Sequence, residues 1–280
     1  MTSVNTNMGA MTALMSLNST ASALQSTEKK ISTGYKVADA TDDGAAYAVA
    51  QGVRSNVSVL TAVNNQLGNA NGLMQITNTA FSTSTDFMKT VSADITNLAA
   101  GTANETANNL AKFTQDVKQL QSFLTGATYN GQSLIKTSAT DPVTASAQAI
   151  TLDESGTQAT LSVKDASSVF TNLASVTDAA SASAFIKPPA GGGDSTLTST
   201  VKALTTLAAQ AGSDTTFISN QQTYNSSKMD ALNVGLGALV DADLAKESAN
   251  LTALQIKQQL GQQSLSISNQ APSGLVSLFR

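Results

Sequence analysis

The chain has 280 residues, of which 41% are apolar, 12% are charged and 4% are aromatic, and its formal net charge is −4. Because Cys and His are both absent, disulfides, thiolate chemistry, zinc fingers and histidine-based acid–base catalysis are excluded. The 15 basic residues are outnumbered by 19 acidic ones, which argues against a nucleic-acid partner, and so weakly charged a surface tolerates close packing of identical copies.

The first predicted helix runs from about Asn5 to Ser32 and ends at Gly34, because glycine is common just after a helix C-terminus. Its apolar residues recur at intervals of three, four or seven positions, which places them on one stripe. Such a stripe is covered only by a partner helix. The stripe consists of Leu14, Leu17, Ala21, Leu24 and Ile31.

The second predicted helix is long and begins after Thr41, Asp42 or Asp43, each of which is a suitable N-cap. From Ala46 to Gly101, every third and fourth position is apolar with only a few exceptions, so this helix spans about 80 Å at roughly 1.5 Å per residue. The series is Ala46, Val49, Val53, Asn56, Leu60, Val63, Leu67, Ala70, Met74, Thr77, Phe81, Ser84, Met88, Val91, Ile95 and Leu98.

A third helix and a small β region follow. The helix is predicted to end at Gly126, and its apolar positions are Leu110, Phe113, Val117, Leu120 and Leu124. Asn130-Gly131 is the preferred pair for a two-residue hairpin turn, because both positions need positive φ. A further hairpin is predicted around the turn residues 153–156, and its alternating apolar positions are Ile150, Leu152, Leu161 and Val163.

The later part of the chain returns to helical spacing. A short helix is predicted from Val169 to Ala180 and is ended by the prolines that precede a linker of three glycines, 191–193. From Leu197 the helical period resumes and continues towards the C-terminus, with Gly235 and Gly237 as candidate break points. Its apolar positions include Val201, Leu204, Ala208, Ala211, Ile218, Met229, Leu232, Leu236 and Leu239.

The last helix carries two apolar strips, which indicates two partners. One strip consists of Leu244, Leu251, Leu254 and Leu265, and the other of Ile256, Leu260 and Ile267. The chain stays apolar up to Leu278 and Phe279, although chain termini are normally polar and frayed. We therefore expect both ends to be buried against each other and against other chains.

These elements predict a mainly α fold. For the two end segments to meet, the chain must fold back as a long antiparallel helical hairpin or coiled-coil bundle, with a small β-hairpin region in the middle of the sequence. The predicted polymer interface consists of Leu14, Leu17, Leu24, Ile31, Leu244, Leu251, Leu254, Ile256, Leu260, Leu265, Ile267 and Leu278.

Several motifs, in the right order along the chain, resemble the bacterial flagellin family. They lie in the opening helix, after it, in the hairpin turn, in the last helix and in the tail. The matching segments are Val4-Asn5-Thr6-Asn7, Ile31-Ser32-Thr33-Gly34, Asp42-Asp43-Gly44-Ala45-Ala46, Tyr129-Asn130-Gly131, the stretch from Asp241 to Ser248, Gln258-Gln259-Leu260-Gly261, Asn269-Gln270-Ala271-Pro272 and Leu278-Phe279-Arg280.

This resemblance implies a structural subunit that self-assembles into the flagellar filament and serves motility. Its implied partners are further copies of itself, the export chaperone, the type III export apparatus, and the filament cap and hook-junction proteins. It also implies five segments: an inner-tube helix with its connector (1–43), helical core (44–133), a short variable insert (134–196), helical core (197–239) and a second inner-tube helix (240–280). Terminal segments of the family are disordered in the free subunit.

Two alternative functions stay open at this point. The nearest is the hook–filament junction protein, which shares the terminal helices, and the other is a non-polymerising secreted helical protein. An enzyme is disfavoured, because the HExxH zinc signature needs His and no glycine-rich phosphate loop precedes a Lys-Ser or Lys-Thr pair. We expect no cofactor.

Asp241, Asp243 and Glu247 are poor candidates for a calcium loop, because its sixth and twelfth places would hold Lys246 and Thr252. No segment approaches the roughly 20 apolar residues of a membrane span, so no membrane insertion is expected. The N-terminus has no basic region followed by an apolar run. We therefore expect an extracellular location in the filament, reached without a cleaved signal peptide.

Overall fold

The computed structural model describes residues 7–138 and 145–277, with the backbone only for 103–104 and 271–277. Its helices are α1 Met8–Thr33, α2 Gly44–Ala100, α3 Ala103–Thr125, α4 Ser167–Ala174, α5 Ala179–Ile186, α6 Thr196–Val240 and α7 Leu244–Ser277. Its strands are β1 Ile135–Lys136, β2 Gln148–Thr151, β3 Gln158–Leu161 and β4 Lys164–Asp165. Among the described residues, no helix combines the length and hydropathy that crossing a bilayer requires.

The predicted mainly α fold, with long antiparallel helices and a small strand region, is confirmed. The chain divides into two compact units. Unit 1 comprises the described residues up to Val57 and those from Asp230 onward, and unit 2 is Ser58–Met229. The division into five functional segments stays a prediction.

Unit 1 is built on α1 and α7, which pack side by side in opposite directions. Near the start of α1, the Asn7 amide donates to the Ser268 carbonyl oxygen at 2.7 Å. Beyond its end, the Ala242 amide nitrogen donates to the Gly34 carbonyl oxygen at 2.9 Å. Gly34 has φ 75°, a conformation that glycine adopts without strain, and it ends α1 as predicted.

The connector between α1 and α2 also belongs to unit 1. Its Val37 is buried with Ala50 and Val240 in a small apolar cluster. Of the three predicted N-caps for α2, it is Asp43 whose Oδ1 accepts the amide hydrogens of Ala45 and Ala46, both at 3.0 Å. An aspartate at this end also complements the helix dipole.

Unit 2 contains the main apolar core. The seam predicted along α2 forms the central part of that core. Every predicted seam position from Leu60 to Leu98 is buried, including the polar Thr77 and Ser84. The α6 helix runs antiparallel to α2, and asparagines seven residues apart on α2 reach across to it. These pairs are Asn64 with Ser226, Asn71 with Ser219 and Asn78 with Thr215.

The β region of unit 2 has both predicted turns. Asn130 and Gly131 have φ 51° and 76°, the positive values that the two-residue turn requires. Strands β2 and β3 pair antiparallel around the predicted turn. The hairpin is attached to α6, because the Leu152 carbonyl oxygen accepts hydrogen bonds from the Gln221 and Asn225 side chains at 3.0 and 2.9 Å.

Two local predictions are corrected, and one strand pairing is added. The single helix expected from Val169 to Ala180 is two helices, because the Asp178 side chain accepts the Ser181 amide hydrogen and starts α5. The helix break lies at 241–243 and not near Gly235 or Gly237, since the Asp243 side chain caps α7. A parallel pairing of β1 with β4 was not expected at all.

Candidate functional site

Six of the predicted interface residues face one another between α1 and α7 inside a single chain. They are half-buried, and they are Leu17, Leu24 and Ile31 on α1 and Leu251, Leu254 and Leu265 on α7. The two helices approach closely at Gly261, where an added Cβ would lie 3.2 Å from Cδ1 of Leu17. The seam predicted on each terminal helix is thus covered by the other terminal helix.

Two predicted residues lie off this seam. Leu14 is 48% exposed and Leu244 is 49% exposed. The contact face of α1 uses Ala13 and Thr20, which are half-buried, so that Leu14 is rotated by about 100° from its neighbour Ala13. Leu244 is the first residue of α7, directly after the break at 241–243. Leu278 lies outside the described residues.

The second strip of α7 is uncovered. Ile256 is 53% exposed, Leu260 59% and Ile267 63%. At about 100° per residue, these three positions lie on the face opposite the one that meets α1. From Gln258 to Ser277 the helix carries no charged residue. Large exposed apolar side chains repeated along one helix face are typical of a protein–protein contact.

Sequence reasoning missed a matching surface on α1. Met8, Met11 and Met15 are 73%, 57% and 73% exposed, on the side away from α7. The signal was present, because Met11 and Met15 are four residues apart and Met8 precedes Met11 by three. The leucine stripe on α1 is the longer pattern, so it outweighs the methionine spacing as a sign of a contact face. Unbranched methionine adapts to irregular partners, which suits a contact surface.

Two ion pairs of unit 1 lie at the connector, and on α7 the exposed Lys257 directly follows Ile256. Lys29 Nζ lies 2.6 Å from an Asp39 oxygen and 2.9 Å from an Asp42 oxygen. The hydrogen bond from Lys29 is the main cause that lowers the pKa of both carboxyl groups. Asp243 caps α7 in the same way as Asp43 caps α2. These carboxylates hold the helix ends in place.

Unit 2 has one cluster of titratable groups between α2 and α3. Lys112 Nζ lies 2.5 Å from Asp94 Oδ1 and 3.0 Å from Asp116 Oδ2. Burial raises the pKa of Asp94, with a hydrogen bond to Asp116 acting in the same direction and Lys112 opposing it. One lysine shared by two carboxylates ties α3 to α2.

Comparison with known proteins assigns this arrangement to a family. Residues 4–140 match the bacterial flagellin N-terminal helical region, and residues 195–279 match the bacterial flagellin C-terminal helical region. Flagellin FljK of Caulobacter vibrioides is 33% identical over 286 residues, covering 99% of this chain and 98% of its own. The chain belongs to the bacterial flagellin family. It is therefore a structural subunit of the flagellar filament.

Other flagellins align over their full length. The flagellin of Brucella melitensis is 32% identical and flagellin C of Rhizobium meliloti is 30% identical, each alignment covering 100% of both chains. The two family matches leave only residues 141–194 between them, which contain the β2–β3 hairpin, α4 and α5. The chain is thus a short flagellin without a large insert. Like other flagellins, it associates with copies of itself.

Proposed function

We propose that the filament contact of unit 1 is formed by the uncovered strip of α7 (Ile256, Leu260 and Ile267) together with the methionine face of α1. The observation that carries this proposal is the exposure of three large apolar side chains on the face of α7 opposite its intrachain seam. The half-buried seam residues hold α1 and α7 together, and the exposed ones bind a neighbouring copy.

The energetics favour this division. Full burial of an apolar side chain of this size contributes roughly 1.5–3 kcal/mol. Three such residues supply a contact that repeats in every subunit. No residue from Gln258 to Ser277 is charged, and the long side chain of Lys257 beside Ile256 can keep its ammonium group in water. The resemblance to flagellins implies that the terminal helices are disordered in the free subunit. Assembly then offsets the cost of ordering them, about 1–2 kcal/mol per residue, through the burial of both faces.

The same strip has a second use before assembly. We infer that an export chaperone covers it in the cell and that the type III export apparatus, the filament cap and the hook-junction proteins contact the chain in turn. The exposed apolar side chains support this, because they would otherwise promote premature polymerisation. The role is structural throughout, with no catalysis and no cofactor.

The test is a charge placed on the strip. In Leu260→Asp, the carboxylate must be desolvated in the contact, so we expect the critical concentration for assembly to rise at least tenfold, the equivalent of about 1.4 kcal/mol. Filament mass is measured by sedimentation and electron microscopy, and monomer helicity by circular dichroism.

The matched control is Gln262→Asp. Gln262 is exposed on the same helix but about 160° around it from Leu260, so the variant adds the same charge away from the strip. We expect it to assemble like the unmodified chain. Filaments from Leu260→Asp at the normal concentration would contradict the assignment of the strip.

A further inference from the structure

Unit 2 has a shallow apolar groove between α2 and the end of α3. Ile76, Ala80, Phe123 and Ala127 form most of it, and the exposed Thr79 and Thr83 stand at its rim. Its volume is about 270 Å³. Since a cavity of about 150 Å³ lined by apolar side chains binds benzene, this groove has room for one aromatic ring.

The same unit exposes two aromatic side chains on α6. Phe217 is 44% exposed and Tyr224 is 58% exposed. They are seven residues apart, so they lie on one face of the helix. Ser219 and Ser226 on α6 contact α2, and at about 100° per residue the two aromatics lie on roughly the opposite side. The groove and the aromatics are therefore separate surfaces of unit 2.

Both surfaces have long charge-free stretches, and Lys228, one turn beyond Tyr224, is paired with Glu154 at 2.5 Å. On α2 no residue from Asn56 to Thr85 is charged, and on α6 none from Thr215 to Ser227 is charged. In α3 the charge-free stretch extends from Gln119 to the end of the helix. Contact between two copies at these surfaces therefore need not bury an unpaired charge or bring like charges together.

We propose that Phe217 of one subunit, flanked by Tyr224, docks in the α2–α3 groove of a neighbouring copy. This proposal rests on the self-assembly proposed above and adds a contact made by unit 2. The exposed aromatics and the groove are different surfaces of the same chain, so the contact between two copies is head-to-tail. Each subunit can therefore bind two others. A contact of this type continues into an open polymer when the rotation between copies does not close a ring.

The chain contains no native cysteine, so the contact can be tested by cross-linking at introduced sites. Asn220→Cys lies on the same face of α6 as Phe217 and Tyr224, and Thr83→Cys lies at the rim of the groove. Neither substitution removes the Phe217 ring or the apolar side chains of the groove. Filaments of the double variant are treated with a short bifunctional maleimide and dissolved in denaturant. We expect a ladder of dimers, trimers and longer covalent chains on a denaturing gel.

The matched control pairs Asn220→Cys with Thr96→Cys. Thr96 is an exposed threonine on the same helix, about 20 Å from Thr83 at 1.5 Å per residue, and should give no ladder. Each single-cysteine variant should stay monomeric on the gel. Adding Phe217→Ala to the Asn220/Thr83 pair should reduce the ladder at least tenfold.

Three results would overturn the contact: filaments of the double variant without a ladder, a ladder that persists with Phe217→Ala, or dimers from Asn220→Cys alone, which indicate a two-fold contact. Electron microscopy of each sample before cross-linking separates these outcomes from a failure of assembly. If the unmodified chain forms no filaments, the proposed function of unit 1 fails, whereas filaments without a ladder refute the contact of unit 2 alone.

Discussion

Lys164 shows how far the position of a residue in the fold can depart from what its type suggests. It lies in the short strand β4, only 3% of its side chain is exposed, and its Nζ is 2.7 Å from an Asp214 oxygen on α6. Lysine is almost never fully buried unless it is paired. The partner is fifty residues away in sequence, so no local pattern could have predicted either the burial or the β1–β4 pairing.

Removing the partner of Lys164 should be costly. Asp214→Ala leaves a buried ammonium group without its counter-charge, and we expect the free energy of unfolding to fall by about 3 kcal/mol. Urea denaturation followed by circular dichroism measures the change.

The double variant Lys164→Met/Asp214→Leu is the control for this interpretation. It removes both charges and keeps apolar volume, so we expect most of the lost stability to return. A double variant as unstable as Asp214→Ala would mean that packing around Lys164, and not the ion pair, carries the stability.

At the scale of elements, predictability follows the length of the pattern. The α2 seam repeats over many turns, so its apolar period outweighs polar exceptions such as Thr77, which donates its own hydroxyl hydrogen to the Leu73 carbonyl oxygen inside the helix. The helices α4 and α5 have eight residues each, too few for a period to separate one helix from two. Their boundary depends on the capping side chain of Asp178.

The surface proposed for assembly was predictable to a lesser degree. The two strips predicted on α7 lie on different faces of the helix, although Leu244 of the first strip is exposed. The sequence alone could not assign which strip meets α1, since this depends on the register set by contacts such as Leu17 with Gly261. For the same reason Leu14 was placed on the seam, whereas Ala13 occupies it.

The connector after α1 should make unit 1 sensitive to acid. Hydrogen bonds from Lys29 lower the pKa of Asp39 and Asp42 in the folded state. Their ion pairs therefore stabilise the fold above the ordinary carboxyl pKa, about 4, and this contribution is lost as the pH falls through the lowered values. We expect the melting temperature of unit 1 in assembled filaments, where the terminal helices are ordered, to decrease between about pH 5 and pH 2.

The Lys29→Met variant tests this dependence. It removes the shared cation, so its melting temperature, followed by circular dichroism, should fall less over the same pH range. Lys30→Met, at the next position of α1, should behave like the unmodified chain. If Lys29→Met and the unmodified chain have parallel pH profiles, the connector ion pairs do not contribute.

On the scale of the whole molecule, residues far apart in the sequence pack together in each of two units. Unit 1 combines residues from both ends of the chain, and unit 2 is formed by the stretch between them. The sequence predicted that the two ends meet, because an apolar stripe on each terminal helix is buried when the two helices pack together. It could not locate the boundary between units, since α2 and α6 continue through it without a break.

Truncation before α7 tests the independence of the two units. A chain lacking 244–280 loses the helix that covers α1, and an isolated amphipathic helix without packing is marginal in water. We expect unit 2 to stay folded, α1 to become sensitive to protease, and filaments to be absent. Limited proteolysis with mass spectrometry measures both effects against filaments of the full chain. Protease-resistant α1 in the truncated chain would contradict the pairing of α1 with α7.

The two opposite faces of α7 have a consequence for inheritance. A substitution on the side that meets α1 changes the subunit itself, whereas under the proposed filament contact one at Ile256, Leu260 or Ile267 changes only the contact with a neighbouring subunit. Suppressors of the first class should map within the same molecule, and suppressors of the second should act even when carried by a different gene copy. Cells that mix two such flagellins would then build a continuous filament from chains that are each unable to build one alone.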